Sequence, residues 1–168
     1  SFTVPSSVTQ MSSLAFYEQK YLTKVTLSKA LKAPTVTDSF SWFIGCKKLE
    51  KIMVASGNTT LKAVNGVLYR KNMKALLCYP QGKKDKKFQM PDTVQKFVLS
   101  DSIKITDLVL GANFIEFGKG WKASKNYYEC LNQVTSIKVS SKNKKYYVSD
   151  NVLYKRIQDE NVAQLVLY

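Results

Sequence analysis

The feature that constrains this chain most is that it matches itself. Displaced by 85 positions, Ile52, Val54, Ser56 and Asn58 fall on Ile137, Val139, Ser141 and Asn143, and Val67-Leu68-Tyr69 falls on Val152-Leu153-Tyr154. Displaced by 86, Phe2, Pro5 and Val8 fall on Phe88, Pro91 and Val94. The closing "LVLY" echoes "LLCY" at residues 76–79. A sequence that spells one unit twice is read as a stack. One copy cannot cover its own apolar face, and lying on its neighbour covers it. The 168 residues are therefore predicted to form a single domain of two tandem units, about 2–80 and 88–168, joined by the basic loop 81–87.

Each unit subdivides. Short strand signals lie at residues 3–4, 25–27, 52–54, 88–90, 108–110 and 137–139. The stretch before a strand also recurs. "FYEQKYLTKVTL" carries Phe16, Leu22, Val25 and Leu27, and "FIGCKKLEKIMV" carries Phe43, Cys46, Leu49, Ile52 and Val54. "YYECLNQVTSIKV" carries Tyr127, Cys130, Val134, Ile137 and Val139. Apolar residues three apart wrap a corner, and residues two apart enter a strand that turns alternate side chains inward. Leu68 and Leu153 join this predicted core from the two VLY segments. Cys46 and Cys130 occupy equivalent positions, with Gln19 in the first turn, and Cys78 aligns with Leu167; all three thiols read as small core residues.

Asn65-Gly66 and Asp150-Asn151 tolerate positive φ and each precedes a VLY segment, so each copy carries an inserted β-hairpin, closing at 76–79 and 165–168. The predicted fold is a mostly β repeat solenoid. It is a right-handed coil of about six short parallel rungs with two hairpins and a few brief helical turns, such as residues 15–20.

The motif aromatic-x-x-Cys-x-x-Leu-x-x-Ile-x-Val, followed by Pro-x-(Ser/Thr)-Val, resembles the BspA-like leucine-rich repeats of bacterial cell-surface proteins. "NGVLYRKNMKALLCYPQGKKDKKFQMPDTV" is similar to their hairpin-plus-repeat unit. The resemblance spans nearly the full chain. Gln19, the short rung at 97–110 and residues 98–101 depart from the pattern. It implies an exported, extracellular or surface-displayed protein, with host or bacterial surface proteins or glycans as partners. It supplies no catalytic or binding residues to carry over. The start Ser-Phe-Thr-Val-Pro reads as a mature or trimmed one, with any export signal or anchor outside this stretch.

Composition narrows the chemistry. The chain has 26 Lys+Arg against 12 Asp+Glu, a net charge of +14, and only Arg70 and Arg156 are arginine. A lysine-dominated field attracts anionic surfaces broadly, whereas dedicated nucleic-acid readers favour the arginine fork; no specific nucleic-acid partner is expected. The absence of histidine removes Ser/His, Cys/His and His–metal chemistry. Glu18, Asp38, Glu50, Asp92, Asp107, Glu116 and Glu129 are scattered, and there is no Gly-rich phosphate loop. No enzymatic activity, cofactor or metal is expected. No apolar run reaches the roughly 18 residues of a membrane span.

The remaining candidates are ligand-binding residues. Lys83, Lys84, Lys86 and Lys87 form the densest positive run, and Lys142, Lys144 and Lys145 a second, with Phe88, Tyr146 and Tyr147 interleaved. Projecting from one side, the two runs would make a single basic stripe. Trp42 and Trp121 are candidate contact residues. Asn58-Thr59-Thr60 fits the glycosylation triplet, a weak signal. The predicted function is a non-enzymatic binding or adhesion module acting through an extended repeat surface. The alternative is a polyanion-binding module, for sulfated glycan, cell-wall polymer or nucleic acid, and a third reading is a structural spacer.

Overall fold

The Leu22, Val25, Leu27 spacing and its echoes produce stacked strands. The computed structural model describes residues 1–34, 41–98, 103–118, 131–157 and 163–167. Strands β1 (Phe2–Thr3), β2 (Lys24–Leu27) and β3 (Lys51–Val54) form one parallel sheet. Strands β7 (Lys87–Gln89), β9 (Asp107–Leu110) and β11 (Ser136–Val139) form its counterpart. Phe2 pairs with Val25 and Val25 with Ile52, while Phe88 pairs with Leu108 and Leu108 with Ile137. Residues equivalent in sequence thus occupy equivalent places in two ladders. Each strand is too short to hold itself. The inward side chains Val25 and Ile52 are fully buried, and each contributes about 1.5–3 kcal/mol through that burial.

The predicted core is buried at Leu22, Val25, Leu27, Cys46, Leu49, Ile52, Leu68, Ile137 and Leu153. Val54, Val134 and Val139 are half-buried and pack on the margins of the core. Cys130 lies outside the described residues. Cys46 donates its thiol to the Phe16 carbonyl 2.9 Å away, which ties one turn to the turn before it.

The brief helical turn expected at 15–20 does not form. No α-helix occurs among the described residues. The Phe16 and Glu18 amides donate to the carbonyls of Trp42 and Ile44, one coil further on. Leu14 and Glu18 take positive φ, which no right-handed helix accommodates. The amides of Tyr17 and Gln19 make isolated turn bonds to Leu14 and Phe16, and those of Phe16 and Glu18 bond between coils.

The VLY segments belong to three-stranded meanders, larger than the predicted hairpins. In the first, β4 (Leu61–Val64), β5 (Val67–Arg70) and β6 (Ala75–Cys78) run antiparallel, and Asn65-Gly66 connects β4 to β5 with positive φ at both residues. In the second, β12 (Tyr146–Ser149), β13 (Val152–Arg156) and β14 (Ala163–Leu167) repeat this arrangement around Asp150-Asn151. The likeness extends to irregularities. Leu68 pairs with Cys78 and Tyr69 with Leu76 across a register shift; Leu153 pairs with Leu167 and Tyr154 with Leu165 across the same shift.

The first meander is a wall between two cores. β6 continues in parallel into β8 (Lys96–Val98), which pairs with β10 (Glu116–Gly118). Leu68, Ala75 and Leu77 face the core of Leu27, Leu49 and Ile52. Val67, Tyr69, Leu76 and Tyr79 face the core of Val94, Phe97 and Leu108. An unbroken aromatic series, Tyr79–Phe88–Phe97–Phe117–Phe114–Tyr146, runs through this second core with centroids 4.8 to 6.2 Å apart.

Burial in that wall holds the Tyr69 hydroxyl neutral and pushes its pKa up from 10.0 to about 12. A raised pKa means that the stability from keeping Tyr69 neutral is complete below pH 10 and disappears as pH climbs toward 12. Burial raises the pKa of Tyr79 as well, so absorbance titration of tyrosinate should show late-titrating residues, one fewer of them in Tyr69→Phe, and the variant should lose less stability over that pH window. Equal losses in both proteins would refute this placement of Tyr69.

Candidate binding surface

The turn after β11 is built on one buried side chain. The Asn143 amide donates to the carbonyls of Gly111 (2.9 Å) and Phe114 (3.0 Å), and its oxygen accepts from the amides of Lys145 (2.8 Å) and Tyr146 (2.9 Å). All four side-chain bonds go to backbone, so the turn is riveted to the turn below it. Gly111 in its turn lies close on the coil before it, since a Cβ there would lie 2.8 Å from the Pro91 carbonyl oxygen. Asn58 makes the same set in the first unit: to Ser28 (3.0 Å) and Leu31 (2.7 Å), and from Thr60 (2.9 Å) and Leu61 (2.7 Å). Asn58 is only 2% exposed. The Asn58-Thr59-Thr60 triplet is therefore a structural rivet, with no free amide to carry a sugar. The displacement of 85 aligned these two asparagines, but their role needs the bonds to be seen.

With Asn143 pointing inward, Lys142, Lys144 and Lys145 point out and are exposed. The first unit has Gly57, Thr59 and Thr60 at the matching positions, so the fold does not require the lysines. The register of β12 and β13 adds two more cations that sequence reasoning missed. Tyr146 pairs with Lys155, and the Arg156 amide donates to the Lys145 carbonyl at 2.8 Å. The Arg156 guanidinium donates to the Tyr146 carbonyl at 2.6 Å and lies 4.9 Å from the Tyr147 ring centre. These contacts fix its position. The sequence did carry a signal, "VLYKR", but only pairing places it beside Lys145.

The five cations line a groove of about 1010 Å³ together with Gln95, Asn113, Gln164 and the apolar Ile115 and Ile157. Among the described residues no carboxylate lines it. Among the described residues, Lys142, Lys144, Lys145 and Lys155 make no ion pair. A groove with this lining can hold a row of anionic groups while its amides meet hydroxyls and its two isoleucines meet an apolar face.

The other lysine run is placed differently. Lys83 pairs with Asp85 at 2.5 Å and Lys84 with Glu50 at 3.2 Å, which offsets part of its charge. The loop packs against the start of β3: the Gly82 amide donates to the Leu49 carbonyl, and a Cβ on Gly82 would lie 2.5 Å from the Lys48 carbonyl carbon. Lys86 and Lys87 are exposed where β7 begins, whereas Lys142, Lys144 and Lys145 follow the end of β11. In a parallel stack those are opposite ends of the strands, so the condition for a single stripe, both loops on one side, is not met.

Trp42 also requires correction as a contact residue. It is 3% exposed and packs edge-on against Phe43, 6.4 Å between ring centres. Ser41, Trp42, Phe43 and Ile44 are all buried, because in this turn successive side chains do not alternate. Trp121 lies outside the described residues. Tyr146 is buried, with its hydroxyl on the Ile115 carbonyl, and Phe88 sits within the aromatic series. Tyr147 stacks on Tyr154 beneath Arg156 and stays half-buried.

Stacked parallel coils, aromatic corners and inserted meanders place the chain among known architectures. A leucine-rich repeat protein from Eubacterium ventriosum superposes with a TM-score of 0.63 at 20% identity, over 86% of this chain and 43% of that one. The fold is a leucine-rich-repeat solenoid. A leucine-rich cell-surface protein from Faecalibacterium prausnitzii superposes with a TM-score of 0.53 at 19% identity, over 99% of this chain and 45% of that one. Both leucine-rich-repeat neighbours agree with the BspA-like resemblance of the motifs. The chain spans less than half the length of either. No sequence-family profile matches the chain, and no curated protein does. Among the described residues no helix is long and apolar enough to cross a membrane, and no His/Cys/Asp/Glu group is placed to hold a metal.

Proposed function

We propose that this chain is a non-catalytic binding module of a secreted or cell-surface protein, making its contacts over the solenoid surface. The support is twofold: the leucine-rich-repeat fold, shared with a protein described as a cell-surface one, and a surface groove in which Lys142, Lys144 and Lys145 stand where the first unit has Gly57, Thr59 and Thr60. Surface proteins and glycans of a host or of neighbouring bacteria are the partners this reading names. The test is retention of matrix proteins, mucin and sulfated glycans on the immobilised chain at about 50 and 200 mM salt. A protein partner held by apolar contact stays bound at the higher salt. Failure to retain any of them would leave only the spacer reading.

The lining of the groove favours a second reading. Five cations and, among the described residues, no carboxylate fit a polyanion, whose affinity would come from counterion release and fall steeply over the same salt range. Lysine dominance suits a sulfated or phosphorylated chain read by charge density more than bases read by edge.

A further inference from the structure

We propose that β11, the turn that follows it and Arg156 together seat one tetrahedral oxyanion, a sulfate or phosphate ester on a sugar-sized ligand, in a pocket separate from the groove. The pocket measures about 420 Å³, within the range of about 300–1,000 Å³ usual for small-molecule sites. Its donors are Lys138, Ser140, Ser141 and Arg156, and among the described residues no carboxylate lines it. Arg156 is common to pocket and groove, whereas Lys138, Ser140 and Ser141 line the pocket alone. Recognition here is by oriented hydrogen bonds and goes beyond the charge density of the groove.

The guanidinium is held ready. Its Nη1 donates to the carbonyls of Tyr146 (2.6 Å) and Asn143 (3.3 Å). Its carbon lies 4.9 Å from the Tyr147 ring centre, and that ring stacks on Tyr154 at 5.2 Å. One nitrogen is thus spent on the backbone, and the group is pinned against an aromatic pair. Among the described residues Nε and Nη2 meet no acceptor, which leaves the two-pronged edge for a ligand. Lys138 makes no ion pair among those residues. The Ser140 hydroxyl oxygen accepts from the Lys142 amide at 3.4 Å, and its hydrogen remains to donate. A planar carboxylate is satisfied by the fork alone. Donors from β11, its turn and β13 converge from separate directions, which suits an ion with several terminal oxygens.

The repeat supplies the comparison. The backbone of this turn is the same in both units. Ser140 bonds to Leu110 as Ala55 bonds to Leu27, each at 2.9 Å, and Arg156 bonds to Lys145 as Lys71 bonds to Thr60, each at 2.8 Å. The side chains differ. Where the second unit has Lys138, Ser140, Tyr147 and Arg156, the first has Met53, Ala55, Lys62 and Lys71. One backbone therefore carries the donors in one unit and lacks most of them in the other. The first unit also shows that the pocket's openness belongs to the turn. Ser56, Lys62 and Lys71, the counterparts of Ser141, Tyr147 and Arg156, are exposed although further coils stack beyond them.

Chemical-shift titration of the intact chain with glucose 6-sulfate, glucose 6-phosphate, glucuronate and glucose tests this. The expected result is a saturable site for the esters with a Kd on the order of 1 mM at low salt, binding of glucuronate at least about tenfold weaker, and none of glucose. The tighter of the two esters names the source of the oxyanion. Arg156→Lys keeps the charge and removes the fork. Lys138→Met/Ser140→Ala installs the first unit's residues and leaves the groove lining intact. Each should weaken ester binding by about tenfold or more with an unchanged circular dichroism spectrum. Lys86→Gln, which removes one charge at the other end of the strands, should change it by less than about twofold. No saturable site for either ester overturns the proposal. So does ester binding that survives Lys138→Met/Ser140→Ala, which would place the anion in the groove, and so does glucuronate bound as tightly as the esters.

Discussion

Asn58→Asp lowers the midpoint of thermal unfolding by roughly 10–15 °C, and Asn58→Ala by a similar or slightly smaller amount. Four hydrogen bonds to backbone converge on this side chain at 2.7–3.0 Å, and the Thr60 hydroxyl donates to its oxygen at 3.4 Å. Alanine leaves two carbonyls and two amides without that partner. Each orphaned buried group costs about 1–3 kcal/mol, and partial entry of water brings the total to about 3–5 kcal/mol. Aspartate keeps the acceptor but sets a negative oxygen against the Ser28 and Leu31 carbonyls, where an amide had donated. At roughly 2–4 °C per kcal/mol for a chain of this size, the shift is large enough to read from a single melt. Asn143→Asp should act alike through Gly111 and Phe114, and Asn132→Asp, at an exposed position, should do nothing measurable. A shift under about 3 °C for Asn58→Ala would show that the turns hold without their rivets.

The second large effect concerns the groove. Lys142→Glu/Lys144→Glu/Lys145→Glu should weaken binding to a sulfated polysaccharide such as heparin by about 100-fold at 100 mM salt, and flatten the salt dependence by the equivalent of roughly three released counterions. The matched control is Lys84→Glu/Lys86→Glu/Lys87→Glu. It changes the net charge equally, on exposed lysines at the other end of the strands. The control should cost less than about tenfold, the share that general field effects supply. Isothermal titration at two or more salt concentrations decides. Equal losses in the two triples would mean that the protein's overall charge, and not this groove, attracts the polymer.

Much of the fold was legible because it is written in side chains that repeat. Val25 and Ile52 follow the aromatic corners Phe16 and Phe43 at the same spacing, Ile137 follows Tyr127 with one residue more, and the ladders pair Val25 with Ile52 and Leu108 with Ile137. β8 and β10 were not legible. Each is three residues long, and each is a strand because of the neighbour it pairs with, not through any alternation of its own. The same holds for β4 and β12, which close the meanders. Trp42 sits one residue before the periodic Phe43, which suggests a place off the core, but in this turn both neighbours are buried. The binding surface was half legible. Lys142, Lys144 and Lys145 stand out in the sequence, but Lys155 and Arg156 join them only through antiparallel register, and the distance from Lys83–Lys87 follows only from the direction of the strands.

The meander β4–β5–β6 has apolar side chains on both faces. A protein whose sequence divides neatly in two is therefore indivisible in practice. A fragment cut near residue 80 would carry Tyr69, Leu76 and Tyr79 into water, and its complement would lose the surface on which Phe97 and Val94 lie. Neither half-length piece should survive as a soluble species. Engineering that shortens or lengthens this chain has to cut within a coil's exposed turn, never at the boundary the repeat suggests.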